Sequence, residues 1–418
     1  MASNSQIARN ELFLRNIYAW GPFDGHAFVC SPQTVEITEH TDYDFTISDK
    51  HVRNWVPWVV ENYRRQTEMV EAVGDDAVPC ARLCTGTHIY AAAFGCEVHR
   101  SSDSPPCAKP LLSTAEEADK LDTPDIWKVP VLYRIFELGQ AVRDELGPDV
   151  FLGPPDMQSG FDTAALIWNK THFFCAMFGD EDSAAVRRLI GKCADLFKAF
   201  LKAFREEFPN CSPCHCPAVW APPEMGPWVS NDECGAFSTG MFEEFCLPEL
   251  VDLSETFGGV GMHCCAAAEH QFESFKKIPN FYAFNRVAAQ RGYASLLDHL
   301  AGKGVPVHVL AWISEQDIEY LVRNAPVGTR FIFNLCGTTV DDARPWLSRM
   351  RELSPRTASG QRGEANQATE ATAPQRCAPW QSLGNGHTTA CEKRRQPDQT
   401  DRVESLHATG AWSGLNGT

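Results

Sequence analysis

"GGVGMHCC" at residues 258–265 is the first of four short β-prone runs whose reading decides the fold. The others are "FYAFN" (281–285), "VPVHVLAW" (305–312) and "GTRFIFNLC" (328–336). Helix-like segments separate them at 267–277, 289–302 and 315–324, and one at 340–353 follows the last run. The repeat, about 20 to 26 residues, suits βα units in a parallel sheet. Upstream, "DVFLGPPD" (149–156) and "GPWVSND" (226–232) read as further strand ends. Each apolar run finishes in polar or soft residues: Asp156, Asn231 and Asp232, His263 and Cys265, Asn285, then Asn334 and Cys336. A (β/α)8 barrel gathers such strand ends on one face, where residues distant in sequence meet.

Two long amphipathic helices are expected between these runs. In 182–208, Val186, Leu189, Ile190, Cys193, Leu196, Phe197, Phe200, Leu201 and Phe204 recur at three- and four-residue spacing. In 240–257, Phe242, Phe245, Leu250 and Leu253 share one side, with Pro248 placed to kink the helix. Both stripes read as core. Composition changes near residue 355: from "SPRTASGQRGEANQATEATAPQ" to the C-terminus the chain is polar and small, without a 2.0 or 3.6 period. Such a segment buries too little surface to offset its ordering entropy. The expected organisation is an N-terminal extension packing on the barrel (1–74), a barrel (75–354) and a disordered low-complexity tail (355–418).

A net charge of −17 argues against a nucleic-acid partner, because phosphate binding needs a basic surface. No apolar run approaches the roughly 20 residues that span a bilayer. "MASNSQIARNELFLRN" lacks an apolar signal core, so a cytoplasmic location and reduced thiols are expected for the 17 cysteines.

The thiols frame the chemistry. His263 and Cys265 lie two apart and point to one face of a regular strand, with Cys264 opposite as a small apolar residue. Zinc accepts imidazole nitrogen and thiolate sulfur in tetrahedral geometry. Cys336 closes "FIFNLC" at a matching strand end and is the candidate third ligand, which leaves one place open for substrate. The bland alternative is a set of buried thiols and a satisfied core histidine. A rival pattern is "NCSPCHCP", where Cys211, Cys214 and His215 have the C-x-x-C-H spacing of c-type haem attachment. That chemistry belongs to exported proteins, and the Pro-rich stretch offers no haem-sized pocket. A second zinc site from Cys211, Cys214 and Cys216 is an alternative, and a loop with incidental thiols is the preferred reading.

The sequence resembles the uroporphyrinogen decarboxylase superfamily. "GPWVSNDECGAFSTGMFEEFCLPELVDLSETFGGVGMHCCA" (226–266) is similar to the family's central block: a Ser-Asp-Asp strand end, an "F-x-E-F-x-x-P" helix and a "GG-x-x-x-H-x-C-G" strand end. "VFLGPPDMQSGFDTAALIWN" (150–169) resembles its Gly-Pro strand and following helix, and "TGTHIYAAAFGCEVHRSSDSPPCAKPLLSTAEEADKL" (85–121) its N-terminal part. The resemblance covers roughly residues 75 to 350 and implies an α/β fold, a (β/α)8 TIM-type barrel.

Two branches of the superfamily are relevant. The decarboxylases grip a tetrapyrrole with arginines and an aspartate, and their signature "RPxWxMRQAGR" is absent here, the nearest text being "RNELFLRNIYAWGPF" (9–23). The other branch moves a methyl group between a corrinoid protein and a thiol, and binds zinc through His-x-Cys and a distant Cys. His263, Cys265 and Cys336 match that pattern, although Ala266 stands where the family has glycine. The resemblance therefore implies a methyltransferase using Zn2+, with methylcobalamin as partner-bound cosubstrate. A carboxy-lyase of porphyrin biosynthesis is the alternative, and a non-catalytic metal- or ligand-binding protein the third. Expected partners are a corrinoid protein and a small thiol, with a homodimer as the assembly if the chain self-associates. Asp232, Glu233 and Asp156 are the candidate catalytic carboxylates, Asp232 or Glu233 holding the fourth place at rest; a helix N-cap is the structural alternative for Asp232. Asn231 and Asn285 are candidate orienting residues, and Arg82 and Arg286 the arginines expected near the face, more as surface ion pairs than as substrate contacts.

Overall fold

The computed structural model describes residues 2–34, 50–83, 85–99, 106–287 and 292–356. Eight strands make the barrel: β1 Ala27–Pro32, β2 Ala81–Arg82, β3 Leu152–Gly153, β4 Trp228–Ser230, β5 Val260–Cys264, β6 Phe281–Arg286, β7 Val307–Ala311 and β8 Phe331–Thr338. Strands β4 to β8 are parallel neighbours in chain order, and β8 pairs in parallel with β1. β2 pairs in parallel with β3, and a bridge between Gln158 and Ser230 joins the segment after β3 to β4. The Asp76 amide donates to the Phe28 carbonyl at 3.0 Å, tying the approach to β2 against β1. The expected α/β, TIM-type barrel is the fold. Its first strand lies within residues 1–74, the stretch expected to be an extension. "AFVC" is buried on both faces and enters the ring beside β8.

Strand alternation sorts the apolar residues into two layers. Ala27, Val29, Trp228, Ala283, Val307, Val309 and Ile332 fill the barrel interior. The residues between them, among them Phe28, Val229, Met262, Phe284, Leu310 and Phe333, pack outward against the helices. The helix Ala2–Tyr18 adds Phe13, Leu14, Ile17 and Tyr18 to the inner layer, and Arg330, just before β8, donates to the Asn16 and Ile17 carbonyls at its end. That plug closes the N-terminal end of the ring. The same parity carries Ser230, Asp232, His263, Cys265, Asn285, Asn334 and Cys336 to the inner side of the other end.

The helix Asp180–Glu207 appears where the periodicity placed it, and the nine predicted stripe residues are all buried. Each large apolar side chain so buried stabilises by roughly 1.5–3 kcal/mol. The predicted helix 240–257 is two, Thr239–Phe245 and Leu247–Phe257, meeting at Cys246. Pro248 sits in the first turn of the second, where its missing N–H costs nothing, so it starts a helix rather than kinking one. Gly258 ends that helix in the left-handed conformation at φ 78°, and a Cβ on Gly226 would fall 1.7 Å from the Gly259 carbonyl oxygen. These glycines let β4 and β5 approach at backbone distance. The segment 267–277 is a short 3-10 turn, Glu269–Gln271, running into Phe272–Phe275, and the helix expected over 289–302 is Ala294–Leu300, with 288–291 outside the described residues. Of the expected tail, residues from 357 onward lie outside the described residues. Arg356, inside it, pairs with Asp76 and lies over the Phe13 ring.

Candidate metal centre

The strand end of β5 and the turn after β4 bring three donors together. One ligand atom each from Asp232, His263 and Cys265 lie within 4.8 Å of one another. The Asp232 carboxylate oxygen is 3.7 Å from His263 Nε2 and accepts the Cys265 amide at 2.6 Å. Asp232 makes no side-chain cap for the 3-10 turn Glu233–Ala236. That task falls to Asp162, whose two oxygens accept the Asp232 and Glu233 amides at 2.6 and 3.2 Å. Freed from capping, the Asp232 carboxylate faces the histidine.

The His263 ring is aimed by its neighbour on β6. Asn285 donates through Nδ2 to the Val309 carbonyl at 2.5 Å, so its Oδ1 accepts, and His263 Nδ1–H donates to it at 2.6 Å. Nε2 is then the nitrogen that faces Asp232, free of Asn285. Asn285 thus positions the imidazole rather than a substrate. Asn231 is fully buried and turned outward, its amide meeting the Cys246 thiol between the two helices. Its place one residue from Asp232 reverses its direction across the strand.

The other predicted residues divide. Asp156 faces the mouth: its Oδ1 is 3.7 Å from His215 Nε2, and Gln158 donates to it at 3.2 Å. Burial raises its pKa, while the cation of Arg82 pulls the other way. Glu233 is held at the periphery by Lys170 at 2.5 Å. Arg286 is buried, 2% exposed, paired with Glu269 and donating to the Ala266 and Val287 carbonyls at 2.6 Å. It is therefore a buried clamp on the loop that follows Cys265, not the surface ion pair expected. Cys264 turns away, as the alternation predicts, and its sulfur lies 3.7 Å from that of Cys234. Cys336 does not join the three-donor group, whereas Asp232, the carboxylate expected at the fourth place, does. It lines the same end of the barrel, its thiol raised to about 11 by burial.

Two participants escape the sequence reading. Asp162 belongs to "SGFD", where Ser159 caps the helix Gly160–Ile167. Its reach to a turn 70 residues away leaves no local signature. Cys216 comes from the Cys-rich loop, and its sulfur lies 4.0 Å from His263 Nε2. Cys211 and Cys214 do not follow it: they bond the Ser212 and Pro217 carbonyls and are buried, so the described residues hold no second group of loop thiols.

The donor set fits a divalent ion of borderline softness. Imidazole nitrogen, thiolate sulfur and carboxylate oxygen are the ligands zinc takes, and tetrahedral bonds near 2.0 to 2.3 Å put ligand atoms about 3.4 to 3.7 Å apart. Burial, and then repulsion from Asp232, push the Cys265 thiol well above its ordinary range. A cation at the centre reverses that balance.

A family model described as uroporphyrinogen decarboxylase (URO-D) matches residues 65–211. That segment ends before Cys216, so the donors come from the part of the barrel beyond it. No curated protein sequence matches the chain. Among solved structures the fold is similar to that of a methyltransferase from Methanosarcina mazei, with a TM-score of 0.55 and 14% identity over 82% of this chain and 98% of that one. No helix among the described residues is long and apolar enough to cross a membrane. The match to the uroporphyrinogen decarboxylase model over residues 65–211 and a barrel of this topology together support a likeness to the uroporphyrinogen decarboxylase superfamily.

Proposed function

We propose that the chain is a zinc-dependent methyltransferase that moves a methyl group between a corrinoid (methylcobalamin) carrier and a small thiol. The observation that carries this reading is the convergence of Asp232, His263 and Cys265 at the end of the barrel where chemistry is built. The shared fold with a protein named as a methyltransferase supports it. A free thiol, with a pKa near 8.5, is mostly protonated at neutral pH and a poor nucleophile. When bound, Zn2+ supplies a charge that holds a substrate sulfur as thiolate.

The protein's own groups prepare the place. Asn285 fixes the ring of His263 so that Nε2 presents a lone pair. Asp162 holds the turn that carries Asp232, and Asp232 in turn holds the Cys265 backbone. Arg286 fastens the loop after Cys265. Asp156 lines the adjoining wall and is backed by the fully buried His215, a neutral imidazole. Burial keeps His215 uncharged, so it can accept or donate a hydrogen bond without adding a competing cation.

Elemental analysis of the purified protein tests this directly. About one zinc per chain is expected, lost in Cys265→Ala, together with demethylation of methylcobalamin that depends on an added thiol. A metal-loaded protein that transfers no methyl group to any small thiol overturns the reading. A metal-free protein that consumes a porphyrinogen identifies a carboxy-lyase instead.

A further inference from the structure

We propose that Cys216, from the loop between β3 and β4, is a resident fourth ligand of the same metal and the one that a substrate thiol displaces. This rests on the metal reading above. His263 Nε2 has two close donors in front of it: Asp232 Oδ1 at 3.7 Å and Cys216 Sγ at 4.0 Å. A nitrogen and a sulfur sharing one tetrahedral zinc stand about 3.6 Å apart, so Cys216 is already near co-ligand distance from His263, and the loop must carry its sulfur further toward Asp232 and Cys265, outside whose 4.8 Å group it now lies. The ring cannot turn away, because Nδ1 is spent on Asn285.

The loop is built to present that one sulfur. Cys211 and Cys214 point into the packing and bond the Ser212 and Pro217 carbonyls at 3.4 and 3.0 Å. His215 points inward to Ser230 Oγ at 3.0 Å, and its ring lies edge-on to His263 with centroids 6.3 Å apart. Cys216, the next residue, is left facing His263. Asp156, Asp232 and Cys336 are its electrostatic neighbours on the acidic side and Arg82 on the basic side.

Four protein ligands close the coordination shell, and a thiol substrate then enters only by exchange. Asp232, His263 and Cys265 are fastened to strand ends and to each other, whereas Cys216 arrives on a loop. Cys216 is therefore the leaving ligand. Its sulfur gives up its place to the incoming sulfur and takes the proton that the incoming thiol releases, so charge and protons balance.

The test replaces zinc by Co2+ in the full chain and counts sulfur donors by X-ray absorption and by thiolate-to-cobalt charge-transfer intensity. Wild type is expected to show sulfur from Cys216 and Cys265. Cys216→Ser should lose one sulfur and about half of the charge-transfer intensity, while Cys336→Ser keeps both. Adding 2-mercaptoethanol should leave the sulfur count of wild type unchanged but raise that of Cys216→Ser by one. Cys216→Ala, with its melting temperature recorded, separates ligand loss from unfolding. A wild-type count unchanged by Cys216→Ser, or a sulfur lost in Cys336→Ser instead, overturns the proposal and leaves the metal site standing. A wild-type protein that takes up no Co2+ overturns both.

Discussion

His263 donates its Nδ1–H to Asn285 Oδ1 at 2.6 Å, and Asn285 is itself anchored on the Val309 carbonyl at 2.5 Å. The hydrogen bond spans β5, β6 and β7 and sets which ring nitrogen is free. Removing such an outer partner typically costs 10- to 100-fold in metal affinity. Asn285→Ala should therefore weaken zinc binding by about that factor while leaving the stoichiometry at saturation intact. Competition against a chromophoric chelator measures it, and a change below about twofold would contradict the role assigned to Asn285.

Metal uptake should release protons. Cys265 is held as a neutral thiol by burial and Asp232, and Cys216 by burial with its acidic neighbours. Each must lose a proton to ligate, so affinity should fall as pH falls. Calorimetry in two buffers of different ionisation enthalpy gives the count, about two protons per ion with both thiols and about one in Cys216→Ser.

Glu249 should make the fold less stable as pH rises. Its two oxygens accept the Gly160 and Phe161 amides at 2.7 and 2.8 Å, at the start of the helix that carries Asp162. Burial raises its pKa from 4.5 to about 8 in spite of those donors. A raised acid keeps its proton in the folded state after the unfolded chain has lost it. Its stabilisation is then full below about pH 4.5 and lost as pH rises toward about 8. Urea titrations across that window should show the decline. Glu249→Gln should flatten it, at a cost of about 1–3 kcal/mol at the acidic end for the acceptor it loses.

Asp76 should be the costliest single carboxylate to remove. It is fully buried, accepts the Phe28 amide at 2.9 Å, and pairs with Arg351 at 2.8 Å and with Arg356. One side chain thus joins β1 to the last helix. Asp76→Ala leaves two guanidinium groups and a strand amide facing a gap, and a loss of about 3–5 kcal/mol in denaturant unfolding is expected. A loss below about 1 kcal/mol would place these pairs with ordinary surface ion pairs.

The amino-acid sequence by itself determined what depends on local spacing. The period of two along "GGVGMHCC" sends His263 and Cys265 one way and Cys264 the other, and the structure buries Cys264 against Cys234. The three- and four-residue spacing of 182–208 marked a helix to within a few residues of Asp180–Glu207. The run of strand ends pointed to one barrel mouth, because alternation and chain direction follow from each strand alone. Only the tertiary structure decided which residues complete the donor set. Asp232 reads locally as a cap, and becomes a donor because Asp162, on another helix, takes the capping bonds. Cys336 has the more regular strand-end position, yet neither its place nor the 4.0 Å approach of Cys216, on an irregular loop, to His263 Nε2 can be read from local spacing. Ligand distances depend on how the barrel closes and how a loop turns back into it. Those are relations between residues far apart along the chain, and no local periodicity carries them.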